Sequence, residues 1–223
     1  MREASKTVGL LTAEERTYLQ GRGIDIGCGN DPVRPDAERF DRDRGDANRI
    51  TDYVKARTFD YVFSSHCLEH MVDPTGALLQ WWALVRRGGV MVIVVPDEDL
   101  YEQGYWPSIF NADHKHTFRI GKDRSWSPVS TDLVKLVASL SGAEILSLRE
   151  QHEGYDRAYL RALSWPRVVP RAVNAVRKRV AAFPRVRQSL DLLCLAARVP
   201  LDQTIGDAVA QNILIVRKRA DGG

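Results

Sequence analysis

Arg22-Gly23-Ile24-Asp25-Ile26-Gly27-Cys28-Gly29-Asn30-Asp31-Pro32 is the stretch from which the fold is read. Arg22 to Ile26 has the length and apolar content of a short buried strand, and the glycines at 27 and 29 stop it. Asn30-Asp31-Pro32 and then Pro35 read as loop. Glycine lacks a Cβ, so a glycine-rich turn at the end of a first strand lets backbone come close to a ligand. In open parallel sheets ligands sit beyond the carboxyl ends of the strands. A dinucleotide fingerprint would need a third glycine where Pro32 stands, which counts against a nicotinamide oxidoreductase.

Outward from this stretch, strands and helices alternate. Residues 5–20 read as helical, and Thr12-Ala13-Glu14-Glu15 has the spacing of a capping box. Arg39-Phe40-Asp41 is a short second strand, and Phe59-Asp60-Tyr61-Val62-Phe63-Ser64 a clearer one. Leu68 to Val85 is expected to be mostly helix, with Pro74 suited to a first turn and Arg86-Arg87-Gly88-Gly89 as its stop. Val90 to Val95 is apolar at every position, the pattern of a strand covered on both faces, and Pro96 closes it. A helix over 131–140, a strand over 143–148 and a last strand over 211–218 complete the pattern. It predicts a doubly wound α/β fold with helices on both faces of a parallel sheet.

A length of 223 residues suits one such domain, taken as 1–223. No apolar run approaches the roughly 18–20 residues that span a bilayer. Met1-Arg2-Glu3-Ala4-Ser5-Lys6 lacks the apolar core of a secretory signal, and Cys28, Cys67 and Cys194 form no CxxC pair. Reduced thiols and a cytoplasmic location are expected. Residues 151–206 break the alternation and read as a basic helical insertion or lid. From Asp156 to Pro200 there are ten Arg or Lys and two Asp, so the remainder of the chain is net acidic. Val173, Val176 and Val180 recur at helical spacing there, flanked by Arg177, Lys178 and Arg179. Such a hairpin suits an anionic membrane, a phosphate-bearing acceptor, or simply a solvated helical lid or dimer surface. Nucleic acid is not expected, because no RNA-binding signature appears and the remainder is acidic.

The string Ile24-Asp25-Ile26-Gly27-Cys28-Gly29 resembles motif I of class I S-adenosylmethionine-dependent methyltransferases, and the resemblance extends over roughly residues 20–120. Phe40-Asp41 and Gly45-Asp46-Ala47 resemble the acidic second-strand end and the later Gly-Asp-Ala element. The short segment between them is similar to a bacterial, type 11-like branch. Phe59 to Val62 and His66-Cys67-Leu68-Glu69-His70 resemble the fourth strand and its loop, and Leu84 to Gly89 the "L-K-P-G-G" turn, with Arg87 in place of proline. The resemblance implies a seven-stranded Rossmann-like sheet with an antiparallel last strand, and S-adenosylmethionine as cofactor. It implies a cofactor site at Asp25, Gly27, Cys28, Gly29, Asp41, Asp46, Ala47, Ser65 and His66. Asp41 would bind the ribose hydroxyls, with Asp43 as the alternative, and Asp46 would lie near the adenine amino group. Asp25 suits either the methionyl part or a structural role.

The acceptor side is read from the segments after the later strands. Pro96-Asp97-Glu98-Asp99-Leu100-Tyr101-Glu102 and Trp106 to Phe118 combine aromatics, acids and two histidines just past a strand end. Methylation of an alcohol benefits from a general base, and histidine is the usual one. His114 and His116 are the catalytic candidates, expected on one face of an extended chain, with Asp97 as a second base. Their alternative role is to hydrogen-bond the loop. The expected function is methyl transfer, at oxygen, to a small-molecule or sugar/glycan acceptor; no metal ligands are assigned, although Asp97, His114 or His116 could hold a divalent cation and the spacing leaves a metal requirement open. His66-Cys67-Leu68-Glu69-His70 also spells the H-x-x-E-H of zinc hydrolases, which requires a helix. A cofactor-binding regulator without catalysis is the third reading.

Overall fold

The protein is described as a computed structural model covering residues 3–161 and 165–220. Met1 and Arg2 of the polar N-terminus, and 162–164 of the basic insertion, lie outside the described residues. The strands are β1 (Gly23–Ile26), β2 (Glu38–Phe40), β3 (Phe59–Ser65), β4 (Val85–Pro96), β5 (Thr117–Arg119), β6 (Ser130–Asp132), β7 (Ala143–Gln151) and β8 (Gln211–Lys218). The α-helices are α1 (Glu3–Leu10), α2 (Ala13–Thr17), α3 (Pro74–Leu84), α4 (Leu133–Ala138), α5 (Val168–Arg179) and α6 (Pro184–Ala196). The main sheet has the order β2-β1-β3-β4-β8-β7. β2, β1, β3 and β4 are mutually parallel, and β8 runs antiparallel to both its neighbours.

Among the described residues the main sheet has six strands, where the resemblance implied seven, and β5 pairs with β6 apart from it. From Asp41 to Thr58 the chain is taken up by a turn and a 3-10 helix, Ala47–Asp52, which leaves no length for a further edge strand beyond β2.

β4 shows why the sheet needs cover on both sides. Met91, Ile93 and Val95 enter a core with Leu78 and Trp81 of α3 and Leu133 and Leu136 of α4. Val90, Val92 and Val94 enter a second core with Ala4 of α1 and with Leu11 and Leu19. Side chains alternate along a strand, so an unbroken apolar run feeds two layers at once. Each fully buried aliphatic side chain stabilises the fold by about 1.5–3 kcal/mol.

The expected helix over 68–85 is broken. Leu68–His70 is a 3-10 turn, and α3 starts only at Pro74, capped by the Asp73 carboxylate on the Thr75 N–H. The Arg-Arg-Gly-Gly segment does not end that helix. Val85 is already extended (φ −68°, ψ 127°) and pairs with Phe59; the next pair is Tyr61 with Val90. Arg86 to Gly89 therefore bulge outward, with Gly88 at φ 75° and Arg86 ion-paired to Asp60.

The insertion between β7 and β8 differs from its sequence reading too. Val176 is 46% exposed, whereas Pro170, Asn174 and Arg177 form the buried face of α5. Arg177 donates to Asp191 (2.6 Å), to Asn174 Oδ1 (3.0 Å) and to the Asp202 carbonyl (2.7 Å). Beside it a small separate core gathers Cys194, Val199 and Leu201 with Val169, Val173 and Leu190. A buried cation needs this many partners, so the most central base of the run is unavailable to an external anion. Among the described residues no helix is long and apolar enough to cross a membrane.

Thr12 and Glu15 form the expected capping box at α2. Glu15 also binds Arg149 of β7 (2.8 Å) and Ser147 (2.9 Å), pinning the helix to the sheet edge. Burial alone would raise its carboxyl, but Arg149, the Thr12 N–H and the Ser147 hydroxyl together outweigh burial and lower it from 4.5 to about 2. A depressed acid stabilises the fold above its unfolded pKa, and the gain fades as pH falls through the folded value. Glu15→Gln should therefore lose on the order of 2 kcal/mol at pH 7. In urea titrations the deficit should shrink steadily between pH 4.5 and pH 2; a pH-independent deficit would contradict the ion-pair account.

Candidate active site

β1 and β3 lie side by side, with Ile26 level with Ser64. Both leave the sheet through left-handed backbone: Gly27 has φ 79° and His66 has φ 54°. That conformation is free for glycine and strained for histidine, and strained non-glycine residues cluster at functional sites. A Cβ on Gly27 would stand 2.6 Å from Cys67 Sγ, so glycine is required for the two exits to pass. Gly29 also has positive φ (53°), yet its Cβ would meet nothing within 4 Å. Its α-carbon borders open space.

Asp25 is buried and accepts the Val33 N–H at 2.6 Å, closing the loop after Gly27. Burial pushes its carboxyl up to about 7. Asp41, just past β2, accepts from the Gly29 N–H and the Arg42 N–H, both at 2.7 Å. Asp46 caps the 3-10 helix through the Asn48 N–H (2.9 Å). Gly27, Asp41, Asp46, Ala47 and His66 line a cleft of about 780 Å³, together with Tyr53 and Lys115. Asp25, Gly27, Cys28, Gly29, Ser65 and His66 line an adjoining pocket of about 200 Å³. Every residue expected to hold the cofactor borders one of these two spaces. Asp43 is exposed and does not line the cleft.

A further cavity of about 180 Å³ is lined by His66, Glu69, His70, Tyr101, Asn111, His114 and Gln211, among others. It shares His66 and His70 with the cleft. His114 is buried, and its Nδ1 lies 2.7 Å from Glu102 Oε1. Its Nε2 is 3.9 Å from Glu69 Oε1. His70 presents Nε2 to the same oxygen at 3.9 Å, and His66 presents Nδ1 at 3.5 Å. Glu69 is fully buried, and neither carboxylate oxygen has a hydrogen-bond partner among the described residues. Burial works to raise its carboxyl, yet His66, His114 and His70 together hold it below the usual value.

The other two catalytic candidates lie elsewhere. His114 and His116 have separate partners: a turn at 111–114, with the His114 N–H on the Asn111 carbonyl, leads into His114, whose side chain meets Glu102. His116 instead reaches the Val72 carbonyl (Nε2 3.3 Å) and lines none of these cavities. Asp97 is buried with its oxygens on the Asp99 and Leu100 N–H groups and on Asn212 Nδ2. It anchors the loop after β4 and does not reach the cavities. H-x-x-E-H falls on a strand end and a 3-10 turn, not on the helix that a zinc hydrolase needs.

Sequence reading missed Glu102 as the partner of His114, and Tyr101, whose ring packs 5.1 Å from the His114 ring. The acidic run containing Glu102 was visible, but nothing local linked it to a histidine twelve positions on.

The family model described as "Methyltransferase domain" matches residues 5–122. No curated protein matches the chain in sequence. Among solved structures, a provisionally assigned sarcosine dimethylglycine methyltransferase from Galdieria sulphuraria is 13% identical, with 96% of this chain and 85% of that one covered, at a TM-score of 0.51. A SAM dependent methyltransferase from Archaeoglobus fulgidus is 16% identical over 98% and 95% of the two chains, at 0.50. The YcgJ protein from Bacillus subtilis is 12% identical over 98% and 100%, also at 0.50. At these identities the likeness is one of fold.

The two glycines should respond differently to alanine. Gly29→Ala should lose only the backbone strain, about 1–2 kcal/mol. Gly27→Ala adds the collision with Cys67 and should lose about 1–3 kcal/mol more. Chemical denaturation of both variants checks this; equal losses would refute the close passage of the two strand exits.

Proposed function

The chain belongs to the methyltransferase domain family, with S-adenosylmethionine as its methyl donor, and from that premise we propose that it methylates an oxygen of a small-molecule or sugar-containing acceptor. The observation that supports this most is the meeting of the cleft and the smaller cavity at His66 and His70. A donor in one and an acceptor in the other would face each other across two side chains, the placement that transfer between bound partners needs.

The residues fit the cofactor. The open space at Gly29 is a cradle that any Cβ would enter. Asp41 and Asp46 offer carboxylates at the cleft for hydroxyl and amino groups, with Gly27 and Ala47 beside them. Asp25, Cys28, Ser65 and His66 frame the adjoining pocket. Bound there, S-adenosylmethionine supplies an electrophilic methyl group.

The acceptor's proton is assigned to His114. Glu102 accepts a 2.7 Å hydrogen bond from the His114 Nδ1–H, which keeps that proton on Nδ1 and leaves the Nε2 lone pair for a hydroxyl. Glu69, 3.9 Å from Nε2, stabilises the imidazolium that forms. The products are a methyl ether, S-adenosylhomocysteine and a proton handed on to solvent. General-base help of this kind contributes about 10²–10⁴-fold. His116 and Asp97 are committed to backbone and to Asn212, and have no part in this reading.

Within the single domain 1–223, the hairpin 151–206 is the proposed cover of the acceptor cavity. Arg167 donates to the Trp106 carbonyl (2.8 Å) and Lys178 to the Phe110 carbonyl (3.3 Å). Thr204 and the neighbouring Ala208 to Ala210 complete the cavity wall.

Calorimetric titration with S-adenosylhomocysteine, with NAD as control, tests the donor half. Micromolar or tighter binding is expected, weakened at least tenfold by Asp41→Ala. With a hydroxylated acceptor found by screening, His114→Ala should lower kcat at least 100-fold while His116→Ala stays within about twofold. Equal turnover in wild type and His114→Ala would remove His114 from the mechanism.

A further inference from the structure

We infer that Glu69, His70 and His114 form a binding site for one divalent transition-metal cation in the wall of the acceptor cavity. This rests on the oxygen-acceptor reading and deepens it.

Three observations converge. First, one ligand atom from each residue lies within 4.8 Å of the others, with both histidine Nε2 atoms 3.9 Å from Glu69 Oε1. Ligands about 2.1 Å from a common ion stand roughly 3–3.5 Å apart, so small side-chain rotations close the site. Second, both imidazoles are held in the ligating tautomer. His114 Nδ1 is engaged by the Glu102 carboxylate at 2.7 Å, and His70 Nδ1 by the Asp113 carbonyl at 3.1 Å. An oxygen acceptor on the far nitrogen is the outer support that metal-bound histidines use. Third, Glu69 is a fully buried carboxylate whose oxygens have no hydrogen bond among the described residues, its Oε1 facing only imidazoles, with His66 Nδ1 nearest at 3.5 Å. Buried polar atoms in folded proteins are almost always satisfied. A cation meets that need directly: His66 faces only Oε1, at 3.5 Å, and His70 and His114 stand back at 3.9 Å.

The donor set selects the ion. Two imidazoles and one carboxylate suit zinc, manganese or iron, whereas magnesium prefers oxygen alone. Three protein ligands leave a coordination position open toward the cavity, where an acceptor oxygen can bind. Bound there, the hydroxyl is acidified and gives its proton to water. The oxygen then forms its bond to the methyl carbon as the carbon–sulfur bond breaks, with the electron pair retained on sulfur. His114 Nε2 is a ligand in that state; with no ion bound, the same lone pair takes the proton itself.

The test is calorimetry on the full chain after EDTA treatment and dialysis, using zinc, manganese and magnesium chlorides. One equivalent of zinc or manganese should bind with micromolar or tighter affinity, and magnesium at least 100-fold more weakly. His114→Ala should weaken zinc binding at least tenfold while S-adenosylhomocysteine binding stays within twofold. His70→Ala, at a partly exposed position, should weaken zinc similarly and guards against a misfolded His114 variant. Glu102→Gln should weaken it by about tenfold, as loss of outer support does. Absence of zinc or manganese binding, or full binding retained in both alanine variants, overturns the site. Acceptor methylation in EDTA is read separately. Undiminished turnover without metal overturns the ion's catalytic role and leaves His114 as base. Metal binding with no hydroxyl acceptor turned over keeps the ion site and removes the oxygen reading.

Discussion

Two parallel strands that end level with each other must both get out of the way of whatever sits beyond them. β1 and β3 do so with backbone of the same hand, at Gly27 and His66. Glycine is the only residue that passes Cys67 at the first exit. At the second, a histidine accepts the strain and gains a position on the border of every space that meets there. Cleft, pocket and cavity are the room left by these two turns. Glu69 and His70 are carried into place by the short 3-10 turn that follows.

Much of this was legible in the chain, for physical reasons that can be named. An apolar run covered on both faces has no other home than a central strand, so β4 declared itself through Val90 to Val95. Motif I is local: a few consecutive residues carry the strand, the glycines and the lining of the pocket beyond them. Asp41 and Asp46 follow closely enough to be read with it. The acceptor side was less legible, because the contact of Glu102 with His114 depends on how two loops fold over each other. His116 stood out for its spacing and Asp97 for its place after a strand, and both turned out to be tied up within the fold. The number of strands at the sheet edge was less legible than the fold, because it depends on the length available between Asp41 and Thr58, not on pattern. On α5 the valine spacing held only in part: Val173 packs into the small core, whereas Val176 is exposed and the buried place near it is taken by Arg177, which has an aspartate and a carbonyl within reach.

Asp97 illustrates how a residue can matter to a site without entering it. It hydrogen-bonds forward to the loop that starts after β4 and sideways to Asn212 on β8. That roots the segment carrying Tyr101 and Glu102 to the centre of the sheet. The rigidity of the Glu102–His114 pair is inherited from there, through buried groups with few alternative partners.

The insertion has a small core of its own, closed by the inward ion pair of Arg177 and Asp191. It touches the rest of the protein largely through single side chains laid on loop carbonyls, as with Arg167 and Lys178. The cleft proposed for the donor is lined by residues from the first half of the sequence, while part of the smaller cavity's wall comes from a late stretch. Changes in the late stretch can therefore accumulate without disturbing the early one. A gene built this way can be retuned toward new acceptors by exchange or drift of one segment, with the donor chemistry held constant through the change.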